Sequence, residues 1–139
     1  MNEEMLSLEK NQTWKLVPLP KNKRVVGSKW VFKRKESIPR VEAPRYKARL
    51  VAKGFIQVEG IDYNEIFPPV VKHCSIRVLM VIVNMYDLEL EQMDVKTAFL
   101  HGELEETIYR QQPGGFVKYN SKVCLLKKSL YGLKQSPRQ

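Results

Sequence analysis

The sequence is poor in the residues that build metal centres and disulfide frameworks. Its 139 residues include two cysteines, Cys74 and Cys124, and two histidines, His73 and His101. Neither pair has the spacing of a zinc site, and two cysteines make a poor disulfide framework. The longest apolar run, residues 78–83, is far shorter than the roughly 20 residues that cross a membrane. We therefore expect an intracellular chain, cytoplasmic or nuclear, with no membrane partner.

Common targeting and catalytic motifs are also missing. Residues 1–10 have no apolar core of the kind found in a signal peptide. No Walker loop, G-x-S-x-G or H-E-x-x-H occurs. Hydrophobic residues make up 43% of the chain, which excludes wholesale disorder and allows a real core.

Positive charge is plentiful and concentrated. The chain carries a net charge of +9, and residues 21–53 hold twelve cations against two acids, which leaves −1 for everything else. A basic segment joined to a nearly neutral one points to a polyanionic partner such as nucleic acid or nucleotide phosphates. The alternative is a solvated cationic surface without a partner.

Two strand-like runs carry most of these cations. Residues 25–35 are rich in β-branched and aromatic side chains, and residues 46–57 alternate in polarity. A loop containing Pro39 and Pro44 separates them, so the pattern predicts an antiparallel ribbon.

One face of the second run is a row of cations. Side chains two residues apart in a strand point the same way, so Lys47, Arg49 and Lys53 are predicted to share a face. Such a row suits phosphate groups, which accept hydrogen bonds from lysine and arginine. The alternative is the polar side of a ribbon whose other face carries Leu50 and Ala52.

Residues 88–102 place an acid where a strand is predicted to stop. Leucine and glutamate alternate over residues 88–91, which predicts a half-buried strand that runs to Met93 and delivers Asp94. Residues 97–100 then predict a tight turn or a short helical turn. A carboxylate in this position can hold a divalent cation. It can equally cap the turn that follows.

The other periodic segments predict ordinary elements. They are a helix over residues 1–10, an extended segment over 14–17, and strands over 107–111 and 123–127. A further helix is predicted with Ser75 as its N-cap and its end near residues 84–87. Its apolar positions spread so widely that we expect it to be buried on most sides.

A linked set of motifs then resembles a known family. The motifs are WKLVPLP, VGSKWVFKRK, RYKARLVAKGF, GIDYNEIFPPVVK, QMDVKTAFLHGELEETIY, QQPGGF and KKSLYGLKQSPRQ. They stand in the order and spacing of the copia-type LTR-retrotransposon reverse transcriptase, a segment of a Pol polyprotein. The likeness runs from about residue 5 to residue 139, nearly the whole chain.

The resemblance implies a fold and its divisions. The fold would be α+β, a partial right-hand polymerase with fingers and the first part of the palm, and an incomplete antiparallel sheet with packed helices. Residues 1–20 would be an N-terminal helix and lead-in, residues 21–72 a basic fingers ribbon and connector, and residues 73–139 a partial palm.

The resemblance also implies the site. Asp94 would be a catalytic aspartate and metal ligand, with the Val95 backbone carbonyl a further ligand of two Mg²⁺ or Mn²⁺ ions. Nucleotide-binding residues would be Lys47, Arg49, Lys53, Val95, Ala98 and Phe99, and the Phe99 ring would exclude a ribose 2′-hydroxyl. The alternative for Phe99 is ordinary core packing. Template and nucleotide contacts would come from Gly132, Lys134 and Gln135.

The implied parent reaction is RNA-directed DNA synthesis, a nucleotidyl transfer. Its partners would be an RNA template, a DNA primer, deoxynucleoside triphosphates and the remainder of the Pol polyprotein. Two segments depart from the family pattern. SIPRVEAP stands where the family has a tight fingers turn, and residues 67–70 read Phe-Pro-Pro-Val where the family usually has Phe-Ser-Pro-Val. The family's aromatic-Val-Asp-Asp signature does not occur, so we expect this chain alone to be inactive. The alternatives are a nucleic-acid-binding fragment without catalysis and a functionless transposon relic.

Overall fold

The computed structural model describes residues 1–35, 45–66, 71–95 and 97–139. Most of the predicted proline-rich loop, and the departure at residues 67–70, lie outside these ranges. The elements are helix α1 Asn2–Lys10, strands β1 Trp14–Pro18, β2 Val25–Val26, β3 Ser28–Lys35 and β4 Arg45–Ala52, helix α2 His73–Met85, and strands β5 Tyr109–Arg110 and β6 Lys122–Leu126. Single 3₁₀ turns cover Gly54–Ile56 and Ala98–Leu100. None of the helices within the described ranges has the length and apolar character needed to cross a membrane.

Four short strands form the larger sheet, in the order β1-β6-β5-β2. The β1–β6 and β6–β5 pairs are antiparallel, whereas β2 and β5 are parallel. The expectation of an antiparallel sheet is therefore wrong at this edge. Val25 faces Tyr109 and Val26 faces Arg110 in this parallel pair, and the Gln111 N–H donates to the Val26 carbonyl at 3.1 Å.

The predicted ribbon is confirmed as the second sheet. Strands β3 and β4 pair antiparallel, with Trp30 opposite Leu50 and Lys33 opposite Lys47. Because facing residues lie on the same side, one face carries Trp30 and Leu50 while the other carries Lys33, Lys47 and Arg49. The apolar face is buried at the end of the ribbon that holds Leu50 and Ala52, which we call the inner end, and both residues contribute to the core.

The core joins helix α1, the inner end of the ribbon and the larger sheet. Its buried members are Met5, Leu8, Val26, Leu50, Ala52, Leu100, Ile108, Leu126, Leu130 and Leu133. Each fully buried leucine contributes about 1.5–3 kcal/mol relative to an exposed one. The chain's last segment, residues 129–139, is thus anchored in the same core as the ribbon.

Helix α2 departs from the sequence prediction at its start. Its N-cap is Lys72, and the Ser75 N–H donates to the Lys72 carbonyl at 3.0 Å. Ser75 therefore lies inside the first turn, and its prediction as the N-cap is wrong. The predicted end near residues 84–87 is confirmed, since the helix ends at Met85.

The burial expected for α2 and the strand expected after it are both wrong. No residue of α2 is buried, and only Val83 is half-buried. Residues 88–95 are exposed and form no strand. A strand needs the backbone of a neighbour to complete its hydrogen bonds, and none of the described strands pairs with this segment.

The remaining predictions hold with small changes. The N-terminal helix and the strands near residues 14–17 and 123–127 are confirmed as α1, β1 and β6. The strand predicted over residues 107–111 shrinks to Tyr109–Arg110. The turn predicted at residues 97–100 is confirmed as a 3₁₀ turn.

Candidate functional site

The YGLKQ segment, residues 131–135, lies directly on the inner end of the ribbon. The Ala52 N–H donates to the Tyr131 carbonyl at 2.7 Å. Gly132 has φ +89°, and a Cβ there would overlap the Ala52 carbonyl and lie 2.6 Å from Val51 Cγ1. Glycine is required because it tolerates this conformation and leaves room for the strand. Gly132 therefore sets how closely the segment approaches the ribbon.

Tyr131 connects the ribbon to the turn that follows Asp94. Its ring centroid lies 5.1 Å from Arg49 Cζ, which is cation–π distance. The same ring lies 5.0 Å from the Phe99 ring in an edge-on arrangement at 78°. A pair of this geometry contributes about 0.5–1.5 kcal/mol beyond its buried area. The family resemblance implies nucleotide binding by Arg49 and Phe99, and both side chains contact the Tyr131 ring.

A buried amide pair fixes the other end of the YGLKQ segment. Gln57 Nε2 donates to Gln135 Oε1 at 3.1 Å, and Gln57 Oε1 accepts from the Lys134 N–H at 2.9 Å. Gln135 Nε2 donates in turn to the Asp62 carbonyl at 3.2 Å. Gln135 has no exposed surface. Its side chain is therefore engaged with the protein, and its predicted contact with template or nucleotide stays a prediction.

The three predicted phosphate-binding cations differ in their settings. Lys47 and Arg49 are exposed and lie on the same face of β4. Lys53 is half-buried and follows the strand, which ends at Ala52. The Lys53 N–H donates to the Gly27 carbonyl at 2.9 Å, so its backbone fastens the base of the ribbon. The prediction of one strand face is confirmed for Lys47 and Arg49 and does not extend to Lys53.

The Asp94 segment, residues 94, 95 and 97–99, is largely open to solvent. Asp94, Val95 and Ala98 are exposed, whereas Phe99 is half-buried against Tyr131. No cluster of three histidine, cysteine, aspartate or glutamate side chains exists in the described part of the chain. Hard divalent ions need several oxygen ligands in fixed geometry. The donor set around Asp94 therefore does not fit a pair of divalent ions by itself.

A buried charge lies away from these residues. Arg110 is fully buried in the larger sheet, with Nη2 3.9 Å from Cys124 Sγ and its guanidinium 4.6 Å from the Trp14 ring centroid. Its Nε and Nη1 have no hydrogen-bond partner among the described residues. Burial lowers the pKa of Arg110, and burial raises the pKa of the Cys124 thiol even though the nearby guanidinium opposes it. Cys124 is therefore a neutral core thiol and not an activated nucleophile.

Two residues of the site were missed by sequence reasoning. Tyr131 lies next to a predicted site residue, but nothing in its local pattern shows that it contacts both Arg49 and Phe99. Gln57 was included only as the last residue of a predicted strand. Both make contacts with residues more than thirty positions away. A single sequence carries no signal for such long-range pairs.

Comparison with known families assigns the class. The chain belongs to the reverse transcriptase (RNA-dependent DNA polymerase) family, whose sequence pattern matches residues 11–139. The match contains the ribbon, the Asp94 segment and the YGLKQ segment. The resemblance inferred from the motifs is therefore confirmed at the level of the family.

The chain is also similar to part of the Pol polyproteins of plant transposons. The chain is 60% identical, over all of its length, to the retrovirus-related Pol polyprotein from transposon TNT 1-94 of Nicotiana tabacum. It is 43% identical, over 99% of its length, to the corresponding polyprotein from transposon RE1 of Arabidopsis thaliana. The chain spans 10% of the length of each of these two polyproteins. No solved structure matches the chain.

Proposed function

We propose that this chain is the fingers and the first part of the palm of a copia-type retrotransposon reverse transcriptase. It would supply part of the nucleotide site of an enzyme that copies RNA into DNA. The observation that carries the proposal is the contact of Tyr131 with both Arg49 and Phe99. Arg49 comes from the ribbon, Phe99 from the Asp94 segment and Tyr131 from the YGLKQ segment, and these three parts are far apart in the sequence. The fold brings these three residues together, which supports a shared role in the nucleotide site.

The ribbon cations would bind the triphosphate. Arg49 offers a planar guanidinium that can donate two parallel hydrogen bonds to a phosphate, and the Tyr131 ring supports it from one side. Lys47, on the same face and exposed, would add a point charge. Lys53 lies beyond the strand end, so we assign it a supporting role at the base of the ribbon. Residues 21–72 remain our proposed fingers unit, preceded by the lead-in of residues 1–20.

Phe99 would select the sugar. Its ring is held edge-on by Tyr131, which restricts its rotation and makes it a fixed wall. A fixed wall beside the 2′ position would clash with a hydroxyl and accept a deoxyribose. Ala98, small and exposed, would leave space beside this wall. The sugar-selecting ring would then belong to our proposed palm unit, residues 73–139.

Asp94 would contribute one carboxylate to the divalent ions of the parent enzyme, with Val95 contributing its backbone carbonyl. Because the described donor set does not fit the ions, the other ligands would have to come from the rest of the polyprotein. The 139-residue chain alone should therefore show no primer extension with magnesium or manganese. Measured incorporation that disappears in Asp94→Asn would overturn this part of the proposal.

The YGLKQ segment would contact the template and the incoming base through Gly132 and Lys134. Gly132 is exposed and Lys134 is half-buried. Gln135 has its side chain occupied by Gln57 and the Asp62 carbonyl. We therefore assign Gln135 the role of holding the segment against the ribbon.

A second candidate function is binding of nucleic acid without catalysis. The observation that favours it is the pairing of Lys33 directly opposite Lys47 on the exposed face of the ribbon. Facing like charges destabilise a strand pair, and phosphate groups would relieve that repulsion. The affinity should then fall with added salt in proportion to the number of phosphates contacted.

Triphosphate binding by the isolated chain tests the primary proposal. Titration calorimetry with a deoxynucleoside triphosphate, without metal, should show binding that Arg49→Gln weakens about tenfold or more, as expected for loss of a charge-assisted pair. Lys23→Gln is the matched control, because it removes an exposed cation outside the ribbon. Equal losses in the two variants would show general charge attraction and would contradict a site at Arg49.

A further inference from the structure

The outer end of the ribbon, where Phe32 and Tyr46 lie, exposes two aromatic rings on the face opposite Lys33, Lys47 and Arg49. Phe32 is 66% exposed and Tyr46 is 81% exposed. Phe32 faces Ala48 and Tyr46 faces Arg34, so the two rings lie diagonally on one face with Arg34 beside them. Trp30, on the same face, instead packs 5.9 Å from the Phe116 ring. The outer rings therefore lie beyond the part of this face that is covered.

We propose that Phe32 and Tyr46 bind single-stranded nucleic acid by stacking on its bases. The inference rests on the proposed function, because a polymerase that copies RNA must hold an unpaired template strand. It adds to that function a pair of rings on the ribbon face opposite Arg49. Aromatic rings beside a positively charged track are the usual means of holding a single strand, since every base has a face on which a ring can stack.

The spacing of the rings fits neighbouring nucleotides. Diagonal side chains on one face of an antiparallel pair are about 7–8 Å apart. Successive nucleotides of a stacked strand are about 3.4 Å apart, so the two rings span roughly two nucleotide steps. One base can therefore stack on each ring without sharp distortion of the strand.

The charges around the rings fix the side on which the phosphates would lie. Tyr46 lines a cleft of about 290 Å³ together with Arg45 and Lys47 of β4 and with Glu3 and Glu4 of α1. The carboxylates repel phosphate and the Lys47 ammonium attracts it, so the phosphates of a strand at this cleft would lie on the ribbon side, away from α1. Arg34, which is exposed and directly opposite Tyr46, adds a further cation on that side. Charge complementarity thus gives the strand one orientation across the ribbon end.

An unpaired strand fits this surface better than a duplex or another protein. The bases of a duplex already stack on each other, so two rings on a flat ribbon cannot reach their faces. The ribbon lies in the segment that holds twelve cations against two acids, which favours a polyanion over an ordinary protein surface. Preference for single strands over duplexes is therefore the first expected property.

The first experiment uses the unaltered chain and three RNA probes with the same number of phosphates. Fluorescence anisotropy should show the tightest binding to an unpaired oligonucleotide and weaker binding to a duplex. A strand whose sugars lack bases should bind at least about fivefold more weakly, because it offers phosphates without faces for stacking. Equal affinity for the strands with and without bases would overturn the proposal without any variant.

The second experiment removes the rings. Phe32→Ser and Tyr46→Ser should each weaken single-strand binding at least about fivefold, the lower end for loss of one stacking ring. Phe55→Ser is the matched control, since Phe55 is 74% exposed and lies outside the ribbon. The ring variants should leave the salt dependence unchanged. Lys47→Gln should reduce its slope by about 0.7, the value for one phosphate contact on a single strand.

The two experiments separate this inference from the function on which it rests. Ring variants that bind like the unaltered chain, beside a weakened Lys47→Gln, would refute stacking and leave phosphate binding by the ribbon in place. An equal loss in Phe55→Ser would also refute stacking at this end. Absence of any binding to RNA would contradict both the stacking surface and the nucleic-acid-binding function.

Discussion

Gly132 offers the sharpest test of how the YGLKQ segment meets the ribbon. Gly132→Ala places a side chain at φ +89° and forces its Cβ into the Ala52 carbonyl. The left-handed conformation costs an alanine about 1–2 kcal/mol. Overpacking against a strand adds about 1–3 kcal/mol. The free energy of unfolding should therefore fall by about 2–5 kcal/mol.

Two other glycines separate these contributions. Gly60 has φ +76° with open space around a Cβ, so Gly60→Ala should lose only the conformational part, about 1–2 kcal/mol. Gly114 has open space and no such φ, so Gly114→Ala should be neutral or gain about 0.4–1 kcal/mol. Urea denaturation followed by circular dichroism measures all three variants. A loss in Gly132→Ala no larger than in Gly60→Ala would refute the close approach of the segment to β4.

Two further predictions concern stability. Leu50→Ala, at a fully buried core position, should cost about 2–5 kcal/mol, whereas Leu79→Ala, on exposed α2, should stay within about 0.5 kcal/mol; equal losses would show that α2 is buried after all. Burial raises the pKa of the Cys124 thiol, so the folded state holds this proton more tightly than the unfolded state does. The resulting contribution to stability is fully present below the ordinary thiol pKa. It falls as pH rises above that pKa, by up to about 1.4 kcal/mol per pH unit. Denaturation midpoints between neutral and alkaline pH should show this loss in the unaltered chain and a smaller one in Cys124→Ala, and parallel curves would contradict it.

Local sequence patterns correctly predicted the strands and helices whose pairing or packing partners lie in the described part of the chain. The ribbon was predicted because residues 28–35 and 45–52 favour strands and each supplies the other's backbone partners. Helix α1 was predicted because Met5 and Leu8 fall on one face and reach the core. In these cases propensity, periodicity and tertiary packing agree, and that agreement is what makes a local prediction succeed.

Prediction failed where a segment depends on something other than its own pattern. Residues 88–91 alternate like a strand, but alternation does not supply the neighbouring backbone that a strand requires. The apolar surface of α2 predicted burial, which is a property of the surrounding structure and not of the helix. The same pattern is compatible with either outcome, so periodicity alone could not decide.

The site was predictable in its parts and not in its arrangement. The family resemblance pointed to Arg49 and Phe99, and the structure brings both to Tyr131. Neither Tyr131 nor Gln57 stands out in sequence, because an aromatic ring and an amide acquire their roles from what they contact. Gln135 shows the converse, since its motif suggested an exposed contact and the structure gives it a buried one.

Primer extension by a chimeric polyprotein tests the central claim most directly. The chain would replace the matching tenth of the Nicotiana tabacum TNT 1-94 Pol polyprotein, to which it is 60% identical over its full length. We predict that the chimera extends a DNA primer on an RNA template and that Asp94→Asn abolishes extension. Glu91→Gln, at an exposed acid three residues earlier, should leave extension unchanged. Extension that survives Asp94→Asn would contradict the assignment of this chain to the polymerase site.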